Sequence, residues 1–294
     1  MRDYIITSSS TADLDKKFFE ENNIKFAKFH YEVDRVEYLD DLGQSLSPEE
    51  FYSKIKKGAD TRTSLVNELE YKEFFEPILK EGKDIIHIEL SSGISGSFNS
   101  ARNAANELNK KYNHKVVVID SLAASSGLGL LLDTAVEMKK EGKTFQEVIN
   151  FLEDNKLNLH HWFFSTNLER YFKGGRISRA SFVLGSLLNI YPLLNVSNEG
   201  KLVVRKKLHG MKSVRKEVMN CILSNIENGL DYDKKIFICH SDFLEEATNL
   251  ANTIENTYPK MKGKVLINNI GTTIGSHTGI GTIAVFFYGK KREN

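Results

Sequence analysis

Short apolar or β-branched runs alternate along the first half of the chain with stretches whose apolar residues recur at helical spacing. The runs Tyr4–Thr7, Ile24–His30, Ile85–Leu90 and Lys115–Asp120 predict strands. Between them Ser47–Lys57, Tyr71–Glu81, Ser97–Lys111 and Ala124–Lys140 predict amphipathic helices; in the third, Ala101, Ala104, Ala105 and Leu108 mark the buried stripe. Strand and helix in alternation make a mostly parallel sheet covered by helices. In such sheets ligands collect outside the carboxyl ends of the strands.

Near residue 156 the pattern changes. Asn158–Ser165 reads as a new strand, and Leu188–Val196 with Lys201–Leu208 read as an antiparallel pair around the turn Asn198-Glu199-Gly200. Met211, Val214, Val218, Ile222 and Ile226 predict a helix stopped by Gly229. Lys235–His240 is a strand, Asp242 with Glu245 reads as the capped start of the next helix, and strands at Val265–Ile270 and Thr282–Gly289 follow. The chain thus reads as α/β throughout, with two α/β domains. Residues 1–157 carry a mostly parallel sheet, residues 158–294 a mixed, more antiparallel one, and a ligand belongs at their junction.

Charge removes some function classes. Forty basic side chains face thirty-nine acidic ones, and runs such as Lys54-Ile55-Lys56-Lys57 fit solvated helix faces, so nucleic acid is not the expected partner. No run approaches the ~18 apolar residues of a membrane span, and no leader pattern opens the chain. Cys221 and Cys239 sit in a helical and a strand pattern without a paired motif, as reduced thiols do. These features predict a cytoplasmic protein. His160 and His161 fall on opposite faces of one strand, no Cys/His/carboxylate set has zinc spacing, and no cofactor or metal is expected.

Four segments could carry chemistry. The strand Ile85–Leu90 empties into Ser91-Ser92-Gly93-Ile94-Ser95-Gly96-Ser97 and then a helix, which brings N–H groups and hydroxyls to one point, as an anion site requires. Ser-Gly turns also solve plain backbone problems. Thr61-Arg62-Thr63-Ser64 is a hydroxyl cluster between helices, where Thr63 could equally cap one. Lys173-Gly174-Gly175-Arg176 sets a cation before a helix start, where a plain surface charge is the alternative. Ile270–Gly281 places His277 in a Gly-rich loop between two strands.

Taken together and in order, Ser91–Ala101, Asp120-Ser121 with Gly127-Leu128-Gly129, Lys173–Ile177, Leu188-Asn189-Ile190-Tyr191-Pro192-Leu193-Leu194 and Ile274–Gly279 make the chain resemble, over essentially its whole length, the DegV family of bacterial fatty-acid-binding proteins. The resemblance implies a two-domain α/β carrier of one long-chain fatty acid such as palmitate. It has no catalytic activity of its own, and it presents the carboxylate to a separate fatty-acid kinase subunit or otherwise carries lipid, which leaves room for transient membrane contact. By motif, the carboxylate falls to Thr63 and Ser95, 32 residues apart, with the Gly96 N–H and His277 beside them. Arg176 stands at the rim, facing a partner or phosphate. Tunnel candidates are Phe163, Phe164, Leu184, Leu187, Leu188 and Ile190, each of which would serve equally as ordinary core.

The chain departs from the family pattern in three places. Leu65-Val66-Asn67 stands for Gln-Pro-Ser, Ser9-Ser10 for an Asp-Ser pair that ends the first strand, and Ile280 for Pro. Two other activities fit the residues less well. In an acyl hydrolase or transferase Ser95 would be the nucleophile and His277 its base, but the glycines do not form a Gly-x-Ser-x-Gly elbow and no acid is evidently placed to orient the His. In a dinucleotide oxidoreductase Gly275, Gly279 and Gly281 would be the fingerprint, but their spacing is wrong and a strand follows.

Overall fold

The computed structural model describes residues 3–185 and 189–293, without the side chains of residues 183–185. The strands are β1 (Tyr4–Ser9), β2 (Lys25–Ala27), β3 (His30–Val33), β4 (Val36–Leu39), β5 (Thr61–Ser64), β6 (Asp84–Glu89), β7 (Val116–Asp120), β8 (Leu159–Ser165), β9 (Ile190–Val196), β10 (Leu202–His209), β11 (Ile236–His240), β12 (Val265–Asn269) and β13 (Thr282–Tyr288). The helices are α1 (Lys16–Glu21), α2 (Pro48–Lys56), α3 (Glu68–Lys80), α4 (Ser97–Lys111), α5 (Ser126–Lys140), α6 (Phe145–Asn155), α7 (Glu169–Lys173), α8 (Arg179–Gly185), α9 (Gly210–Asn225), α10 (Leu244–Thr257) and α11 (Thr272–Thr278). Among the described residues, none of these helices is long and apolar enough to cross a membrane.

The α/β expectation holds. One sheet, ordered β2-β1-β6-β7, is wholly parallel, and a second, β10-β9-β8-β13-β11-β12, is antiparallel except for the β11/β12 pair. The predicted strand Ile24–His30 is broken, because β2 joins the parallel sheet while β3 turns away into a third, small antiparallel sheet, β4-β3-β5. Thr61–Ser64, read as a cluster between helices, is an edge strand of that sheet. Four residues with alternating exposure are too few to show a strand period.

The parallel sheet is buried on both faces, as βαβ connections require. Ile85 and Val116 face Tyr71, Phe75 and Ala104 of α3 and α4. The opposite face packs on α5 and α6, and that core runs on without a break into the mixed sheet. Helix α5 lies where the two meet and is buried on every side from Ser126 to Asp133, the pattern of a helix enclosed by apolar neighbours. Its Gly127 lets the His161 and Phe286 rings of the mixed sheet approach, and its Gly129 meets Ala12 and Leu14 on the other side. A β-carbon at either position would stand under 3.0 Å from these atoms.

Caps account for several boundaries. Ser47 and Glu50 form a capping box on α2, and Asn67 and Glu70 form one on α3. Asp242 does not cap α10 as predicted; it turns with φ +51° and pairs with Lys56 of α2 instead, and Phe243 precedes the helix. The predicted hairpin is present as β9 and β10. Gly127→Ala should lower stability by about 1–3 kcal/mol through overpacking, measured as a lower urea midpoint with an unchanged slope.

Candidate functional site

The turn after β6 is arranged around one buried carboxylate. Glu89, the last residue of β6, has no exposed surface. Its Oε1 accepts from the Leu90 N–H (2.9 Å), the Ser97 hydroxyl (3.0 Å) and the Ser9 hydroxyl (3.2 Å). Its Oε2 accepts from the Tyr71 hydroxyl (2.6 Å) and from His87 Nε2 (2.8 Å). His87 Nδ1 on the other side of the ring lies 2.9 Å from the Thr7 hydroxyl. Burial and the adjacent Glu89 charge together raise the Tyr71 pKa, so its hydroxyl stays protonated and donating.

Ser97, held this way, starts α4 and donates its N–H to Ser95 Oγ at 3.2 Å. The Ser95 N–H is tied back to the Ser91 carbonyl at 3.1 Å. With its oxygen accepting from Ser97, the Ser95 hydroxyl proton is available to another acceptor. Gly96 stands between them as the N-cap residue of α4.

Across from this turn, Thr63 Oγ1 of β5 lies 2.7 Å from His277 Nε2 of α11. The segment read as a Gly-rich loop around His277 is a helix from Thr272 to Thr278. Asp40 caps it, accepting from the Thr273 N–H (3.3 Å) and the Thr273 hydroxyl (2.6 Å), and Gly279 with φ +68° ends it. An acid some 230 residues upstream supplies the cap, so nothing in the local sequence signals the helix. His277 packs on Gly174, where a β-carbon would lie 2.3 Å from Nδ1, which accounts for one of the two glycines before Arg176.

The Arg176 guanidinium is spent on carbonyls, donating to Ile94 at 3.2 Å and to Gly174. Burial, aided by the Arg176 charge, lowers the His277 pKa to about 4, so this imidazole is neutral near pH 7. His277 is therefore joined to Thr63 rather than to Ser95, and the charged group beside it is a cation. A base for Ser95 would need the opposite environment.

Thr63, Ser95, Gly96, Arg176 and His277, drawn from four separate segments, all line one cavity of about 350 Å3. Most of its remaining wall is apolar, with Phe29, Ile94, Phe163, Ala284 and Phe286 among the lining residues. Of the predicted tunnel residues, Phe163 faces the cavity. Phe164 points to the other face of β8, edge-on to Tyr191, and Ile190 is buried elsewhere in the core. Leu187 and Leu188 lie outside the described residues, as does the side chain of Leu184. Sequence reasoning missed Phe29 between β2 and β3, Tyr171 of α7 and Phe286 of β13, which reach the cavity through tertiary packing and carry no local motif. His160 and His161 do part to opposite faces: His160 bonds the Lys290 carbonyl, and His161 accepts from Arg292.

A sequence model described as an uncharacterised protein of the DegV family matches residues 4–290. The DegV domain-containing protein CPE0026 of Clostridium perfringens is 38% identical over 294 residues, covering all of both chains. A solved structure described as showing fatty-acid binding of a DegV family protein from Thermus thermophilus superimposes with a TM-score of 0.85 at 26% identity, covering 98% of this chain and 100% of that one. The Streptococcus pneumoniae Fatty Acid Kinase (Fak) B3 protein loaded with linoleic acid shares the fold, with a TM-score of 0.83 at 20% identity over 97% of this chain and 99% of that one.

Two outcomes test this site. Glu89→Gln should cost on the order of 3 kcal/mol in chemical denaturation, because an amide cannot accept all five hydrogen bonds. His277 binds fewer protons when folded than when unfolded between about pH 4 and 6.5, so stability should fall as pH drops through that window. His277→Gln should flatten the fall.

Proposed function

The chain belongs to the DegV family, and from that premise we propose that it holds one long-chain fatty acid, with the carboxylate against Thr63, Ser95, Gly96 and His277 and the acyl chain in the adjoining cavity. The observation that carries this reading is the convergence of these four residues on one largely apolar cavity of about 350 Å3. The two halves, 1–157 and 158–294, serve as the two domains that meet there.

Head and tail contribute differently. Each buried methylene is worth about 0.8 kcal/mol, so a sixteen-carbon tail supplies on the order of 10 kcal/mol before ordering costs. A carboxylate out of water needs hydrogen bonds or it takes up a proton. If neutral His277 donates its Nε2–H to Thr63, the Thr63 hydroxyl proton is free for the ligand. The Ser95 hydroxyl and the Gly96 N–H add donors, and Arg176 is not needed in direct contact.

A set of hydroxyls, unlike a bidentate guanidinium clamp, leaves a carboxylate oxygen free to attack the γ-phosphate of ATP held by a partner, with ADP as the leaving group. A second cavity, of about 470 Å3, shares Thr63, Arg176 and His277 with the first and adds Arg62, Arg170 and Lys173 to its wall. Asp60 and Glu169 on the same wall pair with Arg62 and Lys173, which leaves Arg170 and Arg176 as the excess positive charge, and a mouth with that excess suits a separate kinase subunit that delivers a phosphoryl group. On this reading the protein is a cytoplasmic carrier and the phosphoryl chemistry belongs to its partner. The pairing of His277 with Thr63 favours this over a Ser95-dependent hydrolase.

Protein purified from a bacterial host should release a long-chain fatty acid on denaturation, identified by mass spectrometry. Lipid-free protein that also refuses added palmitate would refute the proposal. Ser95→Ala and Thr63→Val should each weaken palmitate binding about 10- to 100-fold, the worth of one hydrogen bond to a charged group, with far-UV circular dichroism unchanged.

A further inference from the structure

A polar cleft of about 350 Å3 lies apart from the cavity described above, walled by Asp13, Asp15, Lys16, Asp40, Asn268 and Thr272 among others. Two of its carboxylates are deeply buried: Asp13 is 4% exposed and Asp40 2%. Both converge on Gly271. Asp13 Oδ1 lies 2.6 Å and Asp40 Oδ2 4.0 Å from the point where a Gly271 β-carbon would stand. Asp13 Oδ2 is taken by the Ser125 hydroxyl and Asp40 Oδ2 by the Thr273 cap.

Asp13 Oδ1 has no completed hydrogen bond, although the Gly271 N–H acts on that carboxyl, and the buried Thr272 hydroxyl lies between Asp40 and Tyr31 and acts on both. No cation stands among the groups that act on Asp13, which are Ser125, Asp40 and Gly271. Lys16, the cation on the cleft wall, reaches out to Glu20 at 3.3 Å. Two buried carboxylates side by side, one oxygen orphaned and no counter-charge, are unfavourable unless a proton or a cation joins them.

We infer that this cleft binds a hard divalent cation, Mg2+ or Ca2+, through Asp13 Oδ1, the Asp40 carboxylate and Thr272 Oγ1, with water completing the shell. All the donors are oxygen, and one or two carboxylates are what such ions take from a protein. Among the described residues no three or more His, Cys, Asp or Glu side chains group as a metal site, so the protein would supply this ion with two carboxylates and a hydroxyl and leave most of its shell to water. The site is independent of the fatty acid, although Asp40 joins it to the helix that carries His277.

The test is calorimetric titration of the EDTA-treated full chain with MgCl2 and with CaCl2 at constant ionic strength. Saturable binding of one ion per chain, weakened at least about tenfold in Asp13→Asn, supports the site. Absence of saturable binding by the wild-type chain up to about 10 mM of either ion overturns it, whatever the variants do. Wild-type affinity in a folded Asp13→Asn chain overturns it as well.

Discussion

The Ser95 side of the cavity's head depends on keeping one ionisable carboxyl, Glu89, inside the protein. Its five hydrogen bonds come from β1, α3, β6, Leu90 just beyond β6 and the start of α4, so a single side chain fixes where the parallel sheet ends relative to the helices around it. A buried polar network that is fully satisfied specifies one arrangement, whereas a half-satisfied one destabilises it. The Ser95 hydroxyl is aimed through Ser97 and so inherits that precision. The network also accounts for Ser9, where the resemblance would have placed an acid: its hydroxyl lies 3.2 Å from Glu89 Oε1, so a carboxylate is still present there, supplied by the neighbouring strand.

Elements whose signals are local were readable from the sequence. Helix α4 is predicted to the residue, because its Ala stripe and the turn before it are contiguous, and the β9/β10 hairpin follows from its turn. Elements that depend on distant partners were not. Helix α11 holds four glycines or threonines and a single apolar residue, Ile274, and its cap comes from Asp40. Edge strand β5 is recognisable only through its pairing with β3. Asp242 has the spacing of a cap but is drawn away by Lys56 across the fold.

The same division holds for the cavity. Thr63, Ser95, Gly96, Arg176 and His277 stand in short motifs, and all five line it. The apolar wall is drawn from strands such as β8 and β13, where register sets the facing, and from loops and helices such as those of Phe29, Ile94 and Tyr171, where packing does. Phe163 and Phe164 are equivalent as sequence, and only the alternation of β8 separates them. Electrostatics adds what sequence could not supply. His277 sits between burial and Arg176, two influences that both favour its neutral form, and this decides which of its possible roles it can fill.

The burial of α5 limits how the molecule can open. A helix touched on one side by Ala12 and Leu14 and on the other by His161 and Phe286 has no free face about which either sheet could swing. A wide hinge would tear both contacts at once. Small sliding of packed layers, with side chains changing rotamer as they pass, preserves them. Traffic into the cavity is then better served by local yielding of its rim than by parting of the two halves, and the close glycine contacts along α5 are what set that preference.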